Sequence, residues 1–226
     1  MEAVLEFVEG PLFRLTFALM ILGLARILFL TITGMIQTYA KAGDKEIPWK
    51  DIISRTLSWI FPVKRLWTRK PIYGLVSFIF HIGLILVPIF YFPHIQLWRG
   101  SLGFGIPALP ATIADILTIT TIIGAILLFV MRAGSRESRV LSRKQDYLWP
   151  LILLVPFVTG FLSSNVGLSA GLYQWMMLIH MLSAELIFVM IPFTKIAHCV
   201  LFPLTVLVST LGWKFPAAAG QRVAIT

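Results

Sequence analysis

Residues 72–97 read IYGLVSFIFHIGLILVPIFYFPHIQL, a run without a single Asp, Glu, Lys or Arg. At a helical rise of about 1.5 Å per residue, such a run is long enough to cross the ~30 Å hydrocarbon core of a bilayer. It nevertheless carries two imidazoles, His81 and His94, and two prolines, Pro88 and Pro93. A polar, ionisable side chain is expensive inside a bilayer, so each histidine needs a reason to be there.

Four more apolar stretches of spanning length lie around it, at approximately 11–38, 111–132, 147–166 and 173–210. The 226 residues are 58% hydrophobic and 13% charged, against about 45–50% and about 25% in an ordinary soluble domain. Mean hydropathy is +0.88. The expected fold is all-α, one polytopic membrane bundle of five transmembrane helices over residues 1–226. The opening MEAVLEFVEG places Glu2, Glu6 and Glu9 where a signal peptide carries Lys or Arg. The apolar stretch after it is too long for a signal-peptide core, so it reads as a retained first span. Between spans 1 and 2, Ile52, Ile53, Leu57 and Ile60 recur at helical spacing against Lys50, Asp51 and Arg55. That pattern predicts an amphipathic helix over about 48–61 lying in the interface, with Trp49, Trp59 and Trp67 at headgroup depth.

A net charge of +9 would suggest nucleic acid in a soluble protein. In a membrane protein its distribution matters more, and no nucleic-acid partner is expected. The 1–2 connection holds Lys41, Lys45, Lys50, Arg55, Lys64, Arg65, Arg69 and Lys70. The 3–4 connection holds Arg132, Arg136, Arg139, Arg143 and Lys144, and the C-terminal side holds Lys195, Lys214 and Arg222. The opposite face has only Arg99. The positive-inside rule then puts the N-terminus in the periplasm and the C-terminus in the cytoplasm of a bacterial inner membrane.

All four histidines of the chain fall on two spans, His81 and His94 on the second, His180 and His198 on the fifth. In antiparallel spans the natural pairs are His81 with His198 near the inner face and His94 with His180 near the outer face. Two imidazole pairs are the minimum set for two non-covalent b haems, and bis-histidine ligation favours electron transfer over oxygen binding. His180 and His198 are 18 residues apart, five turns of a straight helix. His81 and His94 are 13 apart and share a face only if Pro88 or Pro93 bends span 2. Cys199 stands alone, so an intrachain disulfide and a Cys-x-x-Cys site are excluded. No nucleotide-binding glycine loop or cluster motif is present, which points to an electron-transfer subunit and not a complete enzyme.

Phe80-His81-Ile82-Gly83, Gly23-Leu24-Ala25-Arg26 and Ile191-Pro192-Phe193-Thr194-Lys195-Ile196-Ala197-His198 together resemble the gamma (cytochrome b) subunit family of respiratory nitrate reductase. The last stretch is similar to that family's Pro-Phe-(Ser/Thr)-basic-x-x-His. The resemblance covers most of the five-span body and implies two b haems held between spans 2 and 5. One departure is Tyr91, which stands where the family places its second span-2 histidine. The 13-residue spacing to His94 looks more like the branch serving sulfate-reducer transmembrane redox complexes, such as the cytochrome b-type subunit of the high-molecular-weight cytochrome c complex. That branch implies a cytoplasmic iron–sulfur protein, an additional membrane subunit and a periplasmic multihaem cytochrome c as partners. A quinone such as menaquinone is a candidate substrate.

The remaining polar groups read as follows. Arg14 snorkels to the outer headgroups. Arg26 lies deeper and is a candidate partner for a haem propionate or an inner-leaflet headgroup. Glu185, five residues past His180, either relays protons or pairs with another polar group. Asp146 suits the N-terminus of span 4. Gln96, Trp98, Tyr173 and Gln174 fit either a quinone headgroup or an aromatic belt. Two other functions stay open: a haem-free structural anchor of a redox complex, and a histidine-based metal transporter.

Overall fold

The computed structural model describes residues 1–41, 46–60 and 71–211, and over these the chain is helical. Lys45, Lys64, Arg65, Trp67, Arg69, Lys70, Lys214 and Arg222, on which part of the charge and interface reading rests, lie outside the described residues, as do the side chains of Trp59, Ile60 and Cys199. Helices run α1 Glu2–Phe7, α2 Phe13–Lys41, α3 Trp49–Ile60, α4 Pro71–Phe90, α5 Phe92–Leu102, α6 Ala111–Gly134, α7 Arg136–Leu141, α8 Lys144–Asn165, α9 Ala170–Met190 and α10 His198–Leu211. A π turn, Val8–Leu12, joins α1 to α2 around Pro11. Among the described residues five segments are long and apolar enough to cross a membrane: Glu2–Lys41, Pro71–Phe90, Ala111–Gly134, Lys144–Asn165 and Ala170–Phe193. Only 11–33% of the most apolar window in each is buried. Large apolar side chains such as Leu22, Phe29 and Ile72 face outward. In water that surface would be untenable; in lipid it is the expected exterior.

Two of the expected spans are broken. The span expected over 72–97, with a bend at Pro88 or Pro93, stops as a helix at Phe90 and restarts at Phe92, with Tyr91 extended (φ −70°, ψ 134°). The cause is Pro93. It has no N–H to return to Ile89 and is tolerated only in the first turn of a helix. Three carbonyls beside the break have donors, as a bilayer favours. The Val87 oxygen accepts from the Tyr91 N–H at 3.0 Å, the Phe90 oxygen from the Leu109 N–H at 2.9 Å, and the Ile89 oxygen from the Trp98 indole at 3.3 Å. α5 ends at Gly103, whose φ of 77° is a left-handed cap that favours glycine.

Span 5 was read as one helix over 173–210. It gives way after Met190 to two 3-10 turns, Ile191–Phe193 and Lys195–Ala197, before α10 begins at His198. Pro192 cannot continue the helical ladder. Thr194 is extended (φ −133°, ψ 178°), and its hydroxyl accepts from the Ile196 N–H at 3.4 Å, capping the second turn. The count of five turns between His180 and His198 therefore does not run through a continuous helix.

The chain divides into two compact units, Met1–Phe17 with Arg65–Phe188, and Ala18–Lys64 with Val189–Thr226. In the first, α4 and α6 pack closely because small residues face each other. Gly83 lies against Thr121 and the Leu117 carbonyl, and Gly124 against Phe80. Phe80, Ala125 and Leu128 form the buried centre, with Leu153 and Leu154 of α8 against it. Arg132 ties the ends of these helices, donating to Tyr73 Oη at 3.1 Å and to Ser142 Oγ at 3.5 Å and lying 3.8 Å from Asp146. Asp146 also accepts the Arg143 N–H at 2.8 Å, capping α8 as its position in the sequence suggests. In the second unit, Gly23 sits against Pro192, bringing together two of the motif stretches. Ile52 of α3 is buried against Met35, Ile47 and Leu207. Trp49, Ile53 and Leu57, on the adjoining flank of α3, are exposed. That unpartnered apolar flank is what an interfacial helix presents to lipid.

Candidate functional site

The four histidines share one local feature. His81 Nδ1 is 2.6 Å from the Ser77 carbonyl oxygen, His94 Nδ1 is 3.3 Å from that of Val87, and His180 Nδ1 is 2.8 Å from that of Pro156. His198 Nδ1 is hydrogen-bonded to the Lys195 carbonyl. A carbonyl oxygen only accepts, so in each case Nδ1 carries the proton and donates. In a neutral ring the lone pair then sits on Nε2. This is the arrangement that metal-ligating histidines use: the distal N–H is held by a backbone carbonyl, which fixes tautomer and ring plane.

The sequence dictates these contacts differently at each position. Ser77 is one turn before His81 on α4, and its carbonyl and hydroxyl both point along the helix toward the imidazole, the hydroxyl at 3.5 Å. Phe80 crosses the His81 ring edge-on at 5.2 Å. His198 opens α10, so its ring reaches back to a carbonyl of the preceding turn. His94 depends on the break at Tyr91: only because α5 restarts does its ring fold back to Val87, seven residues earlier. His180 reaches across to α8, where Pro156 offers its carbonyl and Gly160, one turn on, offers no side chain.

His94 and His180 are brought together. Their ring centres are 6.0 Å apart and their planes within 6° of parallel. Tyr91 stands edge-on to His94 at 5.5 Å. Both histidines belong to the first unit, as does His81; His198 and Arg26 belong to the second. Arg26 is exposed on α2. Glu185 is buried, 5% exposed, and its Oε2 has no hydrogen-bond partner among the described residues.

Of Gln96, Trp98, Tyr173 and Gln174, Trp98 and Gln174 are half-buried. Trp98 packs with Phe13, Phe17 and Phe104 at ring distances of 5.6, 5.6 and 6.3 Å, while Gln96 and Tyr173 are exposed. Phe188 completes this aromatic group, 6.1 Å from both Phe13 and Phe17. Sequence reasoning missed Pro156 and Gly160. A carbonyl leaves no mark in sequence, and a glycine in an apolar span has many ordinary uses.

Among the described residues no three or more His, Cys, Asp or Glu side chains gather into one group. The histidine geometry present is a pair of parallel rings, His94 with His180. Comparison with known proteins finds no matching family model and no matching solved structure. It does find a curated protein of Nitratidesulfovibrio vulgaris (strain Hildenborough), 36% identical over 151 residues, the aligned part making up 66% of this chain and 66% of that one.

Proposed function

We propose that this chain is a di-haem b-type cytochrome, the electron-transfer subunit of a membrane redox complex. The observation that carries the reading is the His94–His180 pair. Two neighbouring imidazoles whose Nδ1 atoms are both committed to carbonyls leave both Nε2 lone pairs for a metal. The observed separation is 6.0 Å, with parallel planes and both Nδ1 protons committed to carbonyls. His81 and His198 carry the same Nδ1 commitment, and each is an axial haem ligand in this reading. A bound b haem would supply a one-electron centre of low reorganisation cost. The chain's own part is to hold the imidazoles in the neutral, Nε2-ligating tautomer, with His81, His94 and His180 half-buried among apolar helices.

The proposal extends to partners. Electrons pass between a quinone, with menaquinone the candidate, or a periplasmic multihaem cytochrome c on the outer side and a cytoplasmic iron–sulfur protein on the inner side. An additional membrane subunit completes the complex. The basic connections Arg132–Lys144 and Lys41–Lys50 suit an acidic partner surface, where charge complementarity speeds encounter and fixes register. The purified chain should give about two protohaem per polypeptide in a pyridine haemochrome assay, one for each axial pair. A chain that stays colourless when expressed with ample haem would instead be a structural anchor. Metal uptake without a haem spectrum would mark a transporter.

A further inference from the structure

We propose that Gly160 is a positioning residue for the outer haem, setting through its lack of a side chain where the His180 imidazole sits and hence the redox balance of that haem. The inference rests on the di-haem reading and adds to it a residue outside the ligand set. A Cβ built on Gly160 would fall 2.8 Å from both Cε1 and Nδ1 of His180 and 3.6 Å from Nε2. Carbon does not approach ring atoms that closely, so any side chain at 160 must push the imidazole off α8.

The ring has no slack for that movement. Its Nδ1 is already 2.8 Å from the Pro156 oxygen. Pro156 and Gly160 lie one turn apart on the same face of α8, so the carbonyl that holds the ring and the glycine that admits it form a single seat. Retreat from Gly160 lengthens the hydrogen bond toward the distance at which it ceases to act. A ligating imidazole that donates its distal N–H to a carbonyl is a stronger base, which stabilises the oxidised metal. Losing that donation favours the reduced state, so the outer haem's potential rises.

The test uses the full-length, haem-loaded chain in Gly160→Ala and, as control, Gly171→Ala on α9, where a Cβ meets nothing within 4 Å. Redox titration followed by absorbance and low-temperature EPR reads each haem separately. Gly160→Ala should shift the redox equilibrium of one haem at least tenfold toward the reduced form, about 59 mV for a one-electron couple, and alter its low-spin signal. The other haem, and both haems of Gly171→Ala, should be unmoved. If Gly160→Ala fails to accumulate, adding His180→Gly removes the ring it strikes and should restore accumulation. Failure of that rescue overturns the proposal, as does a haem-loaded Gly160→Ala with unchanged potential and EPR. A wild-type chain that holds no haem overturns the function proposed above and this inference with it.

Discussion

His94 and Tyr91 compete for one role, and their surroundings separate them. Both lie beside the break in span 2, 5.5 Å apart between ring centres. The His94 ring lies 6.0 Å from that of His180, with the planes within 6° of parallel. A tyrosinate would hold ferric iron and suit a relay poorly, whereas an imidazole pair keeps both oxidation states accessible. His94→Ala should therefore cost one low-spin haem or turn it high-spin in EPR, while Tyr91→Phe should keep both low-spin signals. Two intact bis-histidine signals in His94→Ala would remove His94 from the ligand set. Glu185 poses a different residue-scale question. Its buried Oε2 lacks a partner among the described residues, and an unsatisfied buried polar group costs about 1–3 kcal/mol. Glu185→Met, of similar length and apolar, should raise thermal stability in detergent by about that amount. A lower melting temperature would show that the carboxyl is satisfied in the membrane by a group from outside this chain.

Elements are where the sequence was both most and least legible. Long apolar runs marked all five spans, the second and fourth without any charged residue, because a bilayer punishes charge more than it punishes any irregularity of backbone. The same tolerance hid the breaks. Pro93 and Pro192 were visible, but a proline in a membrane helix can kink it, cap it or be absorbed, depending on which neighbours take up the freed carbonyls. Here Leu109 and Trp98 do so at the first break, and neither partnership is written in the local pattern. The reach of His94 toward His180 follows from that break, so the site depended on an element boundary that helical periodicity alone could not supply. Close helix packing was equally silent in the sequence. Gly83 lies against the Leu117 backbone carbonyl, 2.6 Å from where a Cβ would stand, and against Thr121. Backbone cannot step aside as a side chain can, so Gly83→Ala should cost about 1–3 kcal/mol, read as a drop in thermal stability in detergent. Gly34→Ala on α2, where a Cβ meets nothing within 4 Å, is the matched control and should be neutral or slightly stabilising.

At the scale of the whole molecule, charge carries information that the helices do not. A five-span bundle is physically consistent either way up, and nothing in its packing tells inside from outside. Sixteen Lys and Arg residues sit on the connections of one face against Arg99 on the other, and moving that many cations across a bilayer during insertion is the costlier alternative. The orientation predicted is N-terminus out, with α7 and its flanking loops in the cytoplasm. Val140 at the tip of α7 is 80% exposed and suits a label. Gly167, in the connection between α8 and α9, has open space at its Cβ and suits another. With the lone cysteine replaced, as Cys199→Ser, single cysteines Val140→Cys and Gly167→Cys can be probed with a membrane-impermeant maleimide. Spheroplasts, which expose the periplasmic face, should label Gly167→Cys and spare Val140→Cys. Inverted membrane vesicles should give the reverse. If Val140→Cys reacts in intact spheroplasts, the bundle is inserted the other way. The basic face would then meet the periplasm, and the His94–His180 pair would lie nearer the cytoplasm.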